Sequence, residues 1–281
     1  MTDDTQRRLT FDQEAQLYNE IRPRYPEALF ETMIDVTALS PRAKLVEIGP
    51  GTGQATRPLA RRGYQITAIE LGAALADVAR HQLRLYPNVR VVTGAFEEIA
   101  IPADTFDLVF AATAFHWIRP ELRYVKPHHI LKATGHLAII HTHHVSDERG
   151  DQFFKATQPI YERYFANATG KPPALPGPDT VKPTELDEKL FKLAHFQRFP
   201  MVVAYTAQEY AKLLNTYSPT LVLPEQKRTA FLNDIEALIN DRFHGRVNKH
   251  FVMSLTVAHK QPCEKSDFLS PPYVSHSGAE V

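Results

Sequence analysis

The sequence predicts an α/β fold: a seven-stranded, mostly parallel sheet with helices on both faces and an antiparallel edge. Three observations carry that prediction. Short apolar runs alternate with helix-period segments from residue 44 to about 141, the pattern of strands joined by helical crossovers. Runs such as Leu45-Val46-Glu47-Ile48 are nearly continuous in apolar character, as strands covered on both faces require. Two later runs, Phe196 to Tyr205 and His250 to His259, are separated by helices and can close the sheet as an edge hairpin.

Taken in order, the chain starts with a helix face made by Phe11, Ala15, Tyr18 and Ile21 at three- and four-residue spacing. Pro23 and Pro26 break it, and Glu27 to Leu39 restores a helical period until Pro41. The first strand, at 45–48, runs into a glycine-rich turn and a helix around Gln54 to Arg62, closed by Gly63. Gln65 to Glu70 is the second strand, Ala73 to Leu85 a helix, Val89 to Thr93 the third strand and Phe106 to Ala111 the fourth. One helix is expected over Arg119 to Lys132, then His136 to His141 as the fifth strand. Beyond it, Asp151 to Ala168 reads as a helix with an aromatic face, and five prolines between Pro172 and Pro183 enforce an extended loop. Helices follow at Ala207 to Leu214 and Glu225 to Asn240, flanked by the two late strands.

These elements suggest an N-terminal helical arm over 1–40 and a main domain over 41–260 with helical insertions after the fifth and sixth strands. The tail, 261–281, drifts to Pro, Ser, Gly and charge without any period, which is the composition of a disordered segment.

Composition narrows the function. With 281 residues, 32 Lys+Arg and 32 Asp+Glu, the formal net charge is zero, which argues against nucleic acid as a partner. One cysteine, Cys263, excludes an internal disulfide. No apolar run approaches the ~20 residues a membrane helix needs, and Met1 to Thr10 lacks the apolar stretch of a secretory signal. A cytoplasmic protein, monomeric or homodimeric and without a membrane partner, is the expectation.

The most informative stretch is Glu47-Ile48-Gly49-Pro50-Gly51-Thr52-Gly53, between a strand and a helix. Glycines there let the backbone turn sharply and approach a ligand, and free amides at the helix start can receive it. Seventeen residues past Gly53, Glu70 ends the second strand, where a carboxylate can accept both ribose hydroxyls. The pair points to an adenosine-containing ligand. A dinucleotide turn runs Gly-x-Gly-x-x-Gly; here the glycines alternate and an acid, Glu47, precedes them. An acid at the turn repels pyrophosphate and suits an ammonium group, which disfavours a nicotinamide cofactor.

The motif Glu47-x-Gly49-x-Gly51-x-Gly53 resembles the first signature of the class I S-adenosylmethionine-dependent methyltransferases, whose fold is Rossmann-like. The opening Phe11-Asp12, Ala15, Tyr18, Arg22-Pro23 and Tyr25-Pro26, and the run Phe106 to Val109 ending Ala114-Phe115-His116-Trp117, are similar to the small-molecule branch, which includes the ubiquinone-biosynthesis and trans-aconitate methyltransferases. The resemblance implies S-adenosylmethionine as cofactor, its methionine part on the glycine loop and its ribose on Glu70. It also implies that the arm closes as a lid, bringing Tyr18 and Arg22 to the cofactor, where Arg22 would meet the cofactor carboxylate or an acidic acceptor; a surface arginine is the alternative for Arg22. Many relatives carry an aspartate where this chain has Ala95, so adenine would rest against Phe96 with Glu97 nearby, unless Phe96 is simply a core ring.

Methyl transfer from a sulfonium is an in-line displacement that chiefly requires the acceptor to be held behind the methyl carbon. In an open parallel sheet the acceptor belongs beyond the carboxyl ends of the central strands. Thr113, Phe115, His116 and Trp117 follow the fourth strand, and His141 and His143 close the fifth. His116 is the candidate base or acceptor-orienting group, against the alternative of a ring that packs and bonds to backbone. Trp117 would line the pocket or face the sulfonium, or else pack in the core. His141, His143 and His144 lack a carboxylate or cysteine spaced to complete a metal site, so no metal is expected. The expected function is methyl transfer to a small molecule; the alternative is a protein that binds the cofactor without transferring its methyl group.

Overall fold

The computed structural model describes residues 15–147, 150–165 and 174–262. Phe11, Cys263, the tail from 263 and the last residues of the helix expected to reach 168 lie outside the described residues.

The strands are β1 Lys44–Ile48, β2 Gln65–Glu70, β3 Val89–Thr93, β4 Phe106–Ala112, β5 Leu131–His144, β6 Phe191–Thr206 and β7 Arg246–Lys260. They form one sheet in the order β3-β2-β1-β4-β5-β7-β6. The pairs β2–β3, β1–β2, β1–β4 and β4–β5 are parallel. β7 reverses the direction. Val145 donates its amide to the His250 carbonyl at 3.1 Å, while nearer the start of β5 the rings of His136 and His259 stack 4.8 Å apart. Residue numbers therefore rise on β5 as they fall on β7, which is the antiparallel edge. Strand order reverses at β1, so the crevice outside the ends of β1 and β4 is the switch point.

The helices are α1 Ala15–Ile21, α2 Glu27–Thr37, α3 Thr56–Ala60, α4 Ala73–Leu83, α5 Pro120–Arg123, α6 Val125–Ile130, α7 Gln152–Phe165, α8 Ala207–Leu214, α9 Ser218–Leu221 and α10 Glu225–Arg242. A capping box fixes the start of α8: Thr206 accepts from the Glu209 amide while Glu209 reaches back to the Thr206 amide.

Several boundaries differ from the sequence expectation for identifiable reasons. The helix expected over 119–132 is two short helices: Pro127 has no N–H to continue the ladder, and Leu131 already opens β5. The helix expected over 54–62 shrinks to Thr56–Ala60, because the glycine turn occupies its start and Gly63, at φ +88°, ends it. β5, β6 and β7 run several residues past the apolar stretches that marked them. β6 is an edge strand, half exposed along its length, and so tolerates Pro200.

The chain divides into two compact units. Among the described residues, the first takes 25–141, 183–197 and 254–262; the second takes 15–24, 142–147, 150–165, 174–182 and 198–253. The segment expected as a 1–40 arm is thus shared between them. The first unit's core includes Val46, Ile69, Phe96, Val109, Phe115, Ile139 and Phe191. The second unit's core is aromatic, built on Phe153, Tyr205, Tyr210, Phe231 and Phe251.

Candidate active site

The glycine turn is held by three separate constraints. Gly49 leaves β1 at φ +64° and donates its amide to the Ile69 carbonyl at 2.9 Å. A Cβ on it would lie 2.6 Å from the Ala114 Cβ, so the backbone passes too close to the β4 loop for any side chain. Gly51, at φ +56°, donates to Glu70 Oε2 at 2.8 Å. Gly53, at φ +85°, bonds the Pro50 carbonyl at 2.9 Å, and a Cβ there would meet Leu83 Cδ1 at 2.9 Å. Alternate glycines are therefore a requirement of the turn itself.

Two carboxylates flank it. Glu70 ends β2, and its other oxygen accepts the Gly72 amide at 2.9 Å, so one side chain ties the glycine loop to the start of α4. Glu47 is fully buried. Its Oε2 accepts from Thr56 Oγ1 at 2.5 Å, whereas Oε1 has no hydrogen-bond partner among the described residues. Burial pushes its carboxyl up to about 8, the Thr56 bond opposing and nearby Glu70 adding to the rise. An orphaned, buried carboxyl oxygen is costly unless something cationic or hydrogen-bonding meets it.

After β3, Gly94 donates to the Glu70 carbonyl at 2.8 Å. Phe96 is a core ring, 2% exposed, and the Lys126 ammonium lies 5.0 Å from its centroid. Lys126 is buried too and donates to the Ile99 carbonyl at 2.6 Å. Burial pulls its pKa down to about 8, with Glu97 opposing. Glu97 accepts the Arg119 amide at 3.1 Å. Sequence reading missed Lys126 because nothing in Val125-Lys126-Pro127-His128 marks that lysine as inward-facing.

Beyond β4, Thr113 sits at φ +59°, a rare conformation for a β-branched residue that costs about 1–3 kcal/mol. Its amide donates to the Ile140 carbonyl at 2.7 Å, and its hydroxyl pairs with Tyr25 Oη at 3.1 Å. Tyr25 thus reaches the end of β4, a contact that its place in the opening motif did not reveal. Phe115 is buried, edge-on to Tyr124. His116 is exposed on a short 3-10 turn, its ring 4.9 Å from that of Trp117 and 6.0 Å from that of His141. These three rings are brought together at the switch point.

Tyr18, Arg22 and His143 belong to the second unit. The Arg22 guanidinium donates to Thr216 Oγ1 at 2.8 Å and to its carbonyl at 2.7 Å, between the rings of Tyr18 and Tyr217. Burial lowers the His143 pKa. Among the described residues no group of three or more His, Cys, Asp or Glu could hold a metal ion, and no helix is long and apolar enough to cross a membrane.

A methyltransferase-domain family model matches residues 46–139, which takes in the glycine turn, Glu70 and the β4 loop. Residues 46–139 thus form a methyltransferase domain, and S-adenosylmethionine is the cofactor that such a domain implies. A methyltransferase-like protein of Schizosaccharomyces pombe is 27% identical over 223 residues, covering 78% of this chain and 81% of its own. Among solved structures, a proposed type II methyltransferase from Anaeromyxobacter dehalogenans superposes with a TM-score of 0.55 at 20% identity, covering 85% of this chain and 97% of its own. A proposed methyltransferase from Bacillus halodurans gives 0.52 at 16% identity, with 85% and 100% covered. Those two likenesses concern the fold. For this methyltransferase the residues suit the cofactor: the cradle at Gly49 and Gly53 is one a Cβ would fill, and Glu47 Oε1 is an unmatched acceptor for a cation.

Proposed function

We propose that this methyltransferase acts on a small-molecule acceptor by in-line displacement, with the cofactor seated on Glu47, Gly49, Gly51, Gly53 and Glu70. The observation that carries the seat is the unpartnered oxygen of Glu47 beside three left-handed glycines. When bound, S-adenosylmethionine supplies an electrophilic methyl group on a sulfonium. Glu47 takes the ammonium end, and Glu70 keeps its amide bonds while accepting ribose hydroxyls. Phe96, a core ring, and Glu97, bonded to Arg119, act as the floor of the adenine side and not as its direct readers. Arg22 and Tyr18 belong to the lid of this reading: Arg22 is anchored by two bonds to Thr216 with Tyr18 against it, and its remaining N–H groups face the cofactor when the lid closes.

On the acceptor side, Thr113 and Phe115 fix the loop, while Trp117 and His141 flank His116, which accepts the acceptor's proton. His143, in the second unit, is not needed for that step. The even charge balance supports a small acceptor over a polyanion.

Incubation with methyl-labelled S-adenosylmethionine and separated metabolite, nucleic-acid and protein fractions tests this. Label should enter the metabolite fraction, and His116→Ala should slow transfer to the isolated acceptor by about 10²-fold or more at pH 7. Label confined to nucleic acid or protein would refute the small acceptor; an unchanged rate in the variant would remove the base.

A further inference from the structure

Lys249 stands on β7 in a row whose other members, Val247, Phe251 and Met253, are apolar and buried. The residue is 7% exposed, and its ammonium makes no hydrogen bond or ion pair among the described residues. Its nearest partners are rings: Phe153 on α7, centroid at 5.7 Å, and Tyr210 on α8, at 5.9 Å. Asp147 and Asp151 act on it only at a distance, since each carboxylate accepts the other's backbone amide, at 2.7 and 2.8 Å.

A second cation, Arg22, acts on the same neighbour, His144, which stays neutral. His144 accepts or donates at 3.2 Å with Tyr217 Oη, and burial, then Lys249 and Arg22, drive its pKa down to about 3. Tyr205, whose ring lies 6.1 Å from that of Tyr210, carries a buried hydroxyl without a partner among the described residues. Arg22 and Glu209 are the charged groups that act on that hydroxyl. A nearly buried cation with rings for neighbours and a buried hydroxyl, both without hydrogen-bond partners among the described residues, are each costly, and an anion with an apolar body would relieve the first while a further oxygen on it could meet the second.

We propose that the second unit holds a binding site for an organic carboxylate, with its anionic end on Lys249 and its apolar body against Phe153 and Tyr210. The site lies wholly within that unit and stands independently of the methyl-transfer function.

Calorimetric titration of the full chain with benzoate, and with benzamide as its neutral isostere, tests the site. Benzoate should bind at least tenfold more tightly at pH 7. Lys249→Met should erase that preference while leaving the affinity for S-adenosylhomocysteine within twofold; Lys249→Arg should keep it. In the wild-type protein the preference should fade between pH 7 and pH 9.5 as the lysine loses its proton, a reading that stands even if the methionine variant fails to fold. Equal binding of the two probes, no binding of either, or a preference that survives in Lys249→Met would overturn the proposal.

Discussion

Gly49→Ala is expected to weaken binding of S-adenosylhomocysteine by about 100-fold or more and to lower the melting temperature. A left-handed conformation costs an L-residue about 1–2 kcal/mol by itself, and φ at Gly49 is +64°. The new methyl would also stand 2.6 Å from the Ala114 Cβ, an overlap that only backbone movement can relieve. Either β1's exit or the β4 loop must shift, and the proposed seat and acceptor side lie on those two segments. Gly63→Ala is the control: its φ is +88°, yet nothing lies within 4 Å of its added methyl. That variant should lose about 1–2 kcal/mol of stability and keep its cofactor affinity. Equal affinities in both variants would mean that the turn after β1 does not cradle the ligand.

Glu70→Ala should have the second largest effect, about 1–3 kcal/mol in cofactor affinity together with a fall in melting temperature. The side chain is 7% exposed and accepts two backbone amides, from Gly51 and Gly72. Removing it leaves both donors without their charged acceptor, so loop order and ribose contacts are lost together. Glu70→Gln retains one acceptor oxygen and should recover part of both losses. Calorimetry and thermal melts on the three proteins check this; unchanged affinity in the alanine variant would take Glu70 away from the ribose.

Strands β2 and β3 were legible to the residue, because each is a short apolar run bounded by a turn. The glycine turn and its acids were legible as well, since spacing alone distinguishes alternate glycines from a dinucleotide turn. Long-range pairing was not. The contacts Tyr25–Thr113 and Lys126–Ile99 join residues 88 and 27 positions apart, and no local pattern encodes them. Arg22 was read as an arm residue that a closing lid brings to the cofactor; its bonds to Thr216, 194 residues away, are another pairing that no local pattern encodes. The ends of β5, β6 and β7 escaped because half-exposed strand termini carry polar residues that look like loop. For the same reason the two units, each assembled from separated segments, could not be drawn from composition shifts along the chain.

The seat is tested most directly by titrating S-adenosylhomocysteine into the protein at pH 7 in two buffers of different ionisation enthalpy, with NAD⁺ as the comparison. Glu47, held near 8 by burial, is mostly protonated at that pH. A cation beside it favours the ionised form and lowers that pKa, so binding should release most of one proton, and affinity should rise from pH 6 toward pH 7.5. Micromolar binding with that proton release, and silence from NAD⁺, is the predicted result. Tight binding of NAD⁺, with no heat from the sulfur nucleoside, would contradict it.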